Sequence, residues 1–450
     1  MGELPNLIVI ILDTLRKDYD IPVRNVLEKF GFVSYERAIA PAPWTIPSHA
    51  SMLTGLYPAF HGAHETKNRK IPSVKLDKKD NLLTFKLKEF GYNTALLTSN
   101  FFVHPHFGFV GFDNVYYVPP IPEIKFLSDS DREILRKIVP NQSNFRNIFL
   151  ELVRKNHYGL LLKGGAQYLM QIFYKHFFAL FKHWPTEKGI SQIISYLNRY
   201  LSKNKSENMF IFINSIEMHE PYLVNDNLKI LSDNLKTNSL DMGLVTAWRQ
   251  RYVTESEYLG KKLFELLSVL KKHNVLDNSL VVVTSDHGQL LGEHGRIGHG
   301  NFLYDELLMV PLFIKYPQWM SPNLDKTVVQ GSWISLTSLK SLITHVALGK
   351  IPSKKVLFSD TVFAESYGIA GRVSINSKRE KLFVKKLEKY RIAVYHRAFK
   401  AIFNVNDWKF EYIKPYDPTT EIDDIILRHM KREITKFLRV VTSTKISSIR

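Results

Sequence analysis

A threonine, two aspartates and a set of histidines lie at positions along this 450-residue chain where they could do ester chemistry together. The segment APWTIPSHASMLTG, Ala42 to Gly55, is the most informative. Thr45 is a good N-cap, Pro47 is tolerated in a first helical turn, and Gly55 is a good stop. A hydroxyl at a helix N-terminus sits in positive potential among free backbone N–H groups, a place that binds anions. Alone, such a threonine only caps a helix. TSDHG, Thr284 to Gly288, adds a carboxylate beside an imidazole after an apolar run, and Asp13 follows another such run. EMHEPY, Glu217 to Tyr222, puts His219 past a third. GEHGRIGHG, Gly292 to Gly300, sets His294 and His299 in a glycine-rich loop that can approach a ligand closely.

One chemistry uses the whole set. A threonine hydroxyl is a poor nucleophile near neutral pH, so a bound cation must stabilise its alkoxide. Asp13, Asp286 and His287 offer two hard oxygens and one imidazole, with Thr45 as a further ligand. That mixture suits Mn²⁺ or Zn²⁺, whereas Ca²⁺ or Mg²⁺ would prefer oxygen only. His219, His299, His49 and Arg16 could hold the ester oxygens and protonate the leaving group. The chain has no cysteine, which excludes a thiol nucleophile, a zinc-thiolate site and any disulfide.

These residues need elements to position them. NLIVIIL, Asn6 to Leu12, reads as a strand buried on both faces, with Asp13 at the sheet edge where open α/β sheets bind ligands. Asn81 can cap a helix ending at Gly91, followed by the strand NTALLT, Asn93 to Thr98. A helix face of Ile190, Ile193, Ile194, Leu197 and Leu201 precedes MFIFIN, Met209 to Asn214. A leucine stripe from Leu259 to Leu270 precedes SLVVVT, Ser279 to Thr284, and VPLFIKY, Val310 to Tyr316, closes the series. Helix-then-strand order predicts one predominantly parallel sheet in a large α/β domain over 1–350. After 350, RIAVY, KAIFNV and WKFEYI predict a small antiparallel sheet, closed by a helix near Ile422 to Leu438.

Residues 120–185 read as an insertion. Between Phe145 and His183 it holds six Lys/Arg against one acid, Glu151, and the aromatic run IFYKHFFALF, Ile172 to Phe181. A helical lid packed on the core is the first expectation and a membrane-surface helix the second. The chain carries 61 Lys plus Arg against 43 Asp plus Glu, a net charge of +18. That favours anionic partners: an ester substrate, an acidic glycan or an anionic membrane surface, with nucleic acid not the expected one. Oligomeric state is left open. Met1 to Pro5 lacks a positive n-region and Leu7 to Leu12 is too short for an h-region, so the chain reads as cytoplasmic or peripheral to a membrane.

At these motifs the sequence resembles the sulfatase family of the alkaline phosphatase superfamily. PNLIVIILDTLRKDY resembles its first strand and metal Asp, TIPSHASMLTG its nucleophile motif, and FGYNTALLTSN the strand unit that follows. EMHEPY resembles a His-x-Pro-Tyr segment, and VVVTSDHGQLLGEHGRIGHGNFLYDELLMVPLFIKYP resembles the long second metal motif. The resemblance implies a large α/β/α sandwich, a small C-terminal antiparallel domain and a covalent intermediate. It implies Asp13, Asp286 and His287 as metal ligands, Thr45 as nucleophile, and His219 and His299 around the oxyanion. Arg16, His49, Asn100 and His294 are then expected to bind substrate.

Two departures bear on the chemistry. Sulfatases carry Cys or Ser, oxidised to formylglycine, where this chain has Thr45, and Arg where it has His49. A threonine nucleophile instead resembles phosphodiesterases and phosphoglycerol transferases of the superfamily. Two-metal members carry Asp four residues before the equivalent of His219, where this chain has Ser215, so a single metal is expected. The leading expectation is phosphoester hydrolysis or phosphoryl transfer through Thr45. The alternatives are a sulfatase acting without formylglycine, and an inactive anion-binding protein.

Overall fold

A computed structural model of the chain describes residues 4–77, 81–119, 126–138, 145–179, 187–204, 208–223, 228–237, 239–320, 332–417 and 419–447. Its strands are β1 (Asn6–Leu12), β2 (Val33–Ile39), β3 (Asn93–Thr98), β4 (Asn114–Tyr117), β5 (Met209–Ser215), β6 (Ser279–Thr284), β7 (Leu290–Leu291) and β8 (Ile297–Gly298). They continue as β9 (Met309–Lys315), β10 (Trp333–Ser335), β11 (Phe358–Ser359), β12 (Thr361–Ser366), β13 (Arg391–His396), β14 (Phe399–Asn404) and β15 (Lys409–Pro415). Nine of them form one sheet in the order β11-β10-β2-β9-β6-β1-β5-β3-β4.

β1 runs parallel to both β5 and β6, and β3 parallel to β5 and β4. β9 runs antiparallel to β6 and β2, which the helix-then-strand pattern did not foresee. No crossover helix lies between Thr284 and Met309, only β7, β8, a 3-10 turn and the one-turn helix Asp305–Leu308, so the chain returns beside β6 in the opposite direction. Strand period two sorts β1 between two cores. Leu7, Val9 and Ile11 face one with the helix Thr45–Thr54, while Ile8, Ile10 and Leu12 face the other with helices Ile190–Lys203 and Met242–Lys272. The result is the expected α/β/α sandwich.

The helix expected to be capped by Asn81 spans Leu83–Glu89 with Leu82 at its N-cap. Asn81 turns away, its amide donating to Thr54 O at 3.3 Å and its carbonyl accepting from Lys340 Nζ at 2.5 Å. In the insertion, helices Asp129–Ile138, Phe145–Arg154 and Tyr158–Ala179 are described. Residues 120–125, 139–144 and 180–186 lie outside the described residues, and with them the last two positions of the aromatic run. Within the insertion's described part Leu152 and Leu160 are buried. None of the three apolar cores includes a described residue between 126 and 179.

Strands β12 to β15 form the small antiparallel sheet, covered by Met430, Ile434, Phe437 and Val441 of the final helix Asp424–Ser447. Asp305 ties this sheet to the large one: its carboxylate accepts from Lys400 Nζ at 2.7 Å, Lys414 Nζ at 2.8 Å and the Tyr395 and Tyr416 hydroxyls. Burial would raise the Asp305 carboxyl, but Lys400 outweighs it and brings it to about 2. Its stabilisation is therefore present above the unfolded carboxyl's pKa and lost as pH falls from there through the folded value. Asp305→Ala strands the wholly buried Lys400 and should cost about 3–5 kcal/mol in urea unfolding. Asp305→Ala with Lys400→Met should recover much of that loss, since no buried charge is left unpaired.

Candidate active site

Three neighbouring strand ends make the site. In the parallel pairing of β1 with its two neighbours, Leu12 lies opposite Ser215 and Ile11 opposite Thr284. Asp13, His219 and the Asp286–His287 pair, each a few residues past its strand, therefore meet at one edge. Thr45 is delivered from the side, as the first residue of the helix Thr45–Thr54. The N-cap is Trp44, in extended conformation and with no side-chain cap bond, one residue earlier than expected. The Thr45 hydroxyl is thus not used in capping; it lies 3.4 Å from His287 Nε2. Ser48 Oγ donates to Asp286 O at 2.7 Å and locks this helix onto the strand end that carries Asp286 and His287.

The two aspartates are buried and half-satisfied. Asp13 Oδ2 accepts from Asn100 Nδ2 at 2.6 Å, while Oδ1 has no partner among the described residues. Asp286 Oδ1 accepts from the backbone N–H groups of His287 at 3.0 Å and Thr14 at 3.3 Å, and its Oδ2 likewise has none. That oxygen, without a hydrogen bond, is 3.4 Å from both His287 Nε2 and His49 Nδ1, and Asp13 Oδ1 is 3.9 Å from His287 Nε2. Burial, then the Asp286 charge, pushes the Asp13 carboxyl up to about 6, and burial pushes Asp286 up to about 7. Two unpaired carboxylate oxygens and an imidazole nitrogen converging in a dry site are costly without a cation and well suited to one. Thr14, at φ 62°, holds this geometry in a strained left-handed conformation for a β-branched residue. Its carbonyl accepts from Tyr252 OH at 2.5 Å.

The histidines present one nitrogen each. His287 Nδ1 bonds Gly288 O at 2.9 Å, His219 Nδ1 bonds Glu220 O at 2.8 Å, and His299 Nδ1 bonds Gln289 Oε1 at 2.7 Å. These oxygens only accept, so Nδ1 carries the proton in each ring and Nε2 is left for the site. Gln289 is itself oriented by donating Nε2 to Glu220 Oε2 at 2.9 Å. His299 packs between the other two, 4.5 Å from the His287 ring and 4.9 Å from the His219 ring. Burial lowers His299 well below its ordinary value and lowers His287 too. Burial would also lower His219, but the Glu220 and Asp13 carboxylates outweigh it and raise it. His219, Glu220 and His299 form a second cluster of possible metal-binding atoms. Their Nδ1 and carboxylate atoms are already bonded to each other's supports, an orienting arrangement.

The structure brings together Asp13, Thr45, Asp286, His287, His219 and His299. The four expected substrate contacts are placed differently. Arg16 directs its guanidinium to Asp18 at 2.6 Å, Glu293 at 2.8 Å and Gln289 O at 3.1 Å. His294 stacks on Tyr304 at 3.7 Å and faces Glu306. Asn100 points at Asp13 rather than into open space. His49 is wholly buried, its Nδ1 donating to Thr45 O at 3.0 Å and its Nε2 accepting from Asn214. Burial lowers it to about 3, so it is a neutral brace for the helix that Thr45 begins. Glu220, Gln289, Ser48 and Thr14 were not foreseen; the only signal for them is adjacency to motif residues.

The same architecture recurs in known proteins. A phosphonate monoester hydrolase from Silicibacter pomeroyi superposes with TM-score 0.61 at 15% identity, over 98% of this chain and 96% of that one. An arylsulfatase of Clostridium perfringens is 21% identical over 350 residues, 70% of this chain and 69% of that protein. The N-acetylglucosamine-6-O-sulfatase of Bacteroides thetaiotaomicron is 34% identical over 85 residues, 19% of this chain and 15% of the relative. Matches of that more similar kind cover less than a fifth of the relatives' own length. The Sulfatase family model matches residues 5–330, a span that takes in every residue of the cluster, and the chain belongs to the sulfatase family.

Proposed function

We propose that this chain is a metal-dependent phosphoester hydrolase or phosphoryl transferase in which Thr45 carries the transferred group. The observation that carries the reading is the Thr45 hydroxyl, free of capping and 3.4 Å from His287 Nε2, beside two unpaired carboxylate oxygens. Asp13, Asp286, His287 and Thr45 would hold one divalent cation, which supplies charge neutralisation and Lewis acidity when bound. The mixed oxygen and nitrogen set favours Mn²⁺ or Zn²⁺ over Ca²⁺ or Mg²⁺. Thr45 Oγ1 bonds to phosphorus as the bond to the leaving oxygen breaks. His219, held protonated longer than an ordinary histidine, gives its Nε2 proton to that oxygen. His299, held neutral, accepts the Thr45 proton on Nε2. Water or an acceptor alcohol then attacks phosphorus, its proton passes to His219, and Thr45 leaves with the proton from His299.

Phosphorus is favoured over sulfur by the chemistry of the side chain. The Thr45 β-carbon bears a methyl group, so oxidation there would give a ketone and not the aldehyde of formylglycine. The family relatives support the second reading, direct sulfuryl transfer through the unmodified hydroxyl. Purified protein offered phosphodiesters, phosphonate monoesters, aryl phosphates and aryl sulfates with each of the four cations separates them. Preference for a phosphorus ester, with phosphate on the Thr45 peptide after quenching, supports the proposal. Far better turnover of every sulfate ester rejects it.

A pH effect follows from Glu220. His219 acts as an acid, so activity falls as pH rises through its pKa. Glu220→Gln removes the charge that raises that pKa, and the descending limb of the pH–rate profile should move to lower pH. An unmoved limb would take His219 out of the acid's role.

A further inference from the structure

We propose that the insertion is an interfacial docking element for an anionic lipid bilayer. Along the helix Tyr158–Ala179, Tyr158, Leu162, Ala166 and Leu169 recur at helical spacing on one face. All are exposed, Leu162 at 73% and Leu169 at 66%. The preceding helix adds Phe149 and Leu150, also exposed. Stripes of this kind in a soluble domain normally face a core, and this one faces none of the three.

Charge selects the occupant. Residues Phe145 to His183 carry six Lys/Arg and one acid, in a chain of net charge +18. Arg154 and Lys155, which share Glu151, stand exposed at the end of the preceding helix, and Lys163, exposed and paired with Asp131 at 2.8 Å, flanks the stripe. An apolar face flanked by cations matches the interface of a bilayer with anionic head groups, where the leucines enter the acyl boundary and the cations meet phosphate. A purely apolar partner would make no use of that excess of cations. No helix among the described residues is long and apolar enough to cross a membrane, so the element lies on the surface. It is fastened to the catalytic edge at both ends. Val118 N donates to Thr98 O where the chain leaves the sheet, and Lys188 Nζ donates to His219 O at 2.5 Å where it returns.

The inference stands apart from the catalytic reading and is tested by binding. Full-length protein should co-sediment with phosphatidylcholine vesicles containing phosphatidylglycerol, far less with phosphatidylcholine alone, and less at high salt. Leu162→Asp combined with Leu169→Asp should weaken binding by about tenfold or more, on the order expected for two exposed leucines that no longer enter the bilayer. Both positions are exposed, so an unchanged melting temperature and unchanged turnover of a soluble aryl ester should accompany the loss. Failure of the wild-type chain to bind the anionic vesicles overturns the proposal, as does equal binding by the variant. So does a dimer in sedimentation that the two substitutions abolish while vesicles are ignored, because a second copy would then be the occupant.

Discussion

Thr45→Ala is expected to lose about 10⁶ in turnover, the scale seen when a covalent nucleophile is removed, and to keep its metal. The two consequences separate because the proposed mechanism gives the residue two roles of unequal weight. As nucleophile it has no substitute: among the described residues no other hydroxyl bonds His287 Nε2, where Thr45 Oγ1 sits at 3.4 Å. As a ligand it is one of four, and Asp13, Asp286 and His287 remain. The fold should survive, since the side chain is small and its hydroxyl does not cap the helix. Ser48, which pins the helix to Asp286, is untouched. Thr45→Ser keeps the hydroxyl and should keep part of the rate. Elemental analysis, a melting curve and turnover of the best phosphorus ester read the three consequences. Wild-type rates in Thr45→Ala would remove the covalent mechanism altogether.

What the amino-acid pattern revealed follows from burial. β1, β3, β5 and β6 are sheathed on both sides, so their sequences are continuous apolar runs with clear ends. β2 is not: VSYERAI carries an exposed Glu36 and an Arg37 laid over the Trp333 ring, and its pairing with β9 shifts register between Tyr35 and Ala38. The direction of β9 was equally illegible, because strand polarity depends on which distant partner it meets. The cluster was readable because Asp13, His219, Asp286 and His287 sit just past readable strands, Thr45 at a helix start and His299 in a glycine-rich loop. Residue type could not say where a side chain points. Arg16, Asn100 and His49 belong to the neighbourhood, but ion pairs and hydrogen bonds turn them toward its supports. The insertion shows the opposite limit: its helical period was visible, but whether that face met a core or solvent was not.

Asp286→Asn should empty the metal site and abolish turnover while leaving a protein at least as stable as the metal-free wild type. The sign comes from burial. The Asp286 carboxyl is pushed up to about 7, so at and above neutral pH the folded protein must hold an ionised carboxylate that water would solvate better. The penalty is absent below the unfolded carboxyl's pKa, grows as pH rises, and is complete above the folded one. Asparagine has the same shape and no charge. Its oxygen can still accept from Thr14 and His287 N–H, and its amide can turn toward His287 Nε2, now 3.4 Å from the unpaired Oδ2. Cation binding is different, because the site loses one of its two negative charges. For the wild type, a ligand that binds only the folded state raises stability by RT ln(1 + [L]/Kd), about 2.7 kcal/mol at about a hundred times Kd. Adding Mn²⁺ should therefore raise the melting temperature of the wild type and leave that of Asp286→Asn unmoved. Thr45→Ala, which keeps three of the four ligands, should still respond. This melting comparison does not depend on knowing the substrate. An equal metal response in Asp286→Asn and wild type would mean that the cation sits elsewhere, and Asp13, Asp286 and His287 would then lose their role as its ligands.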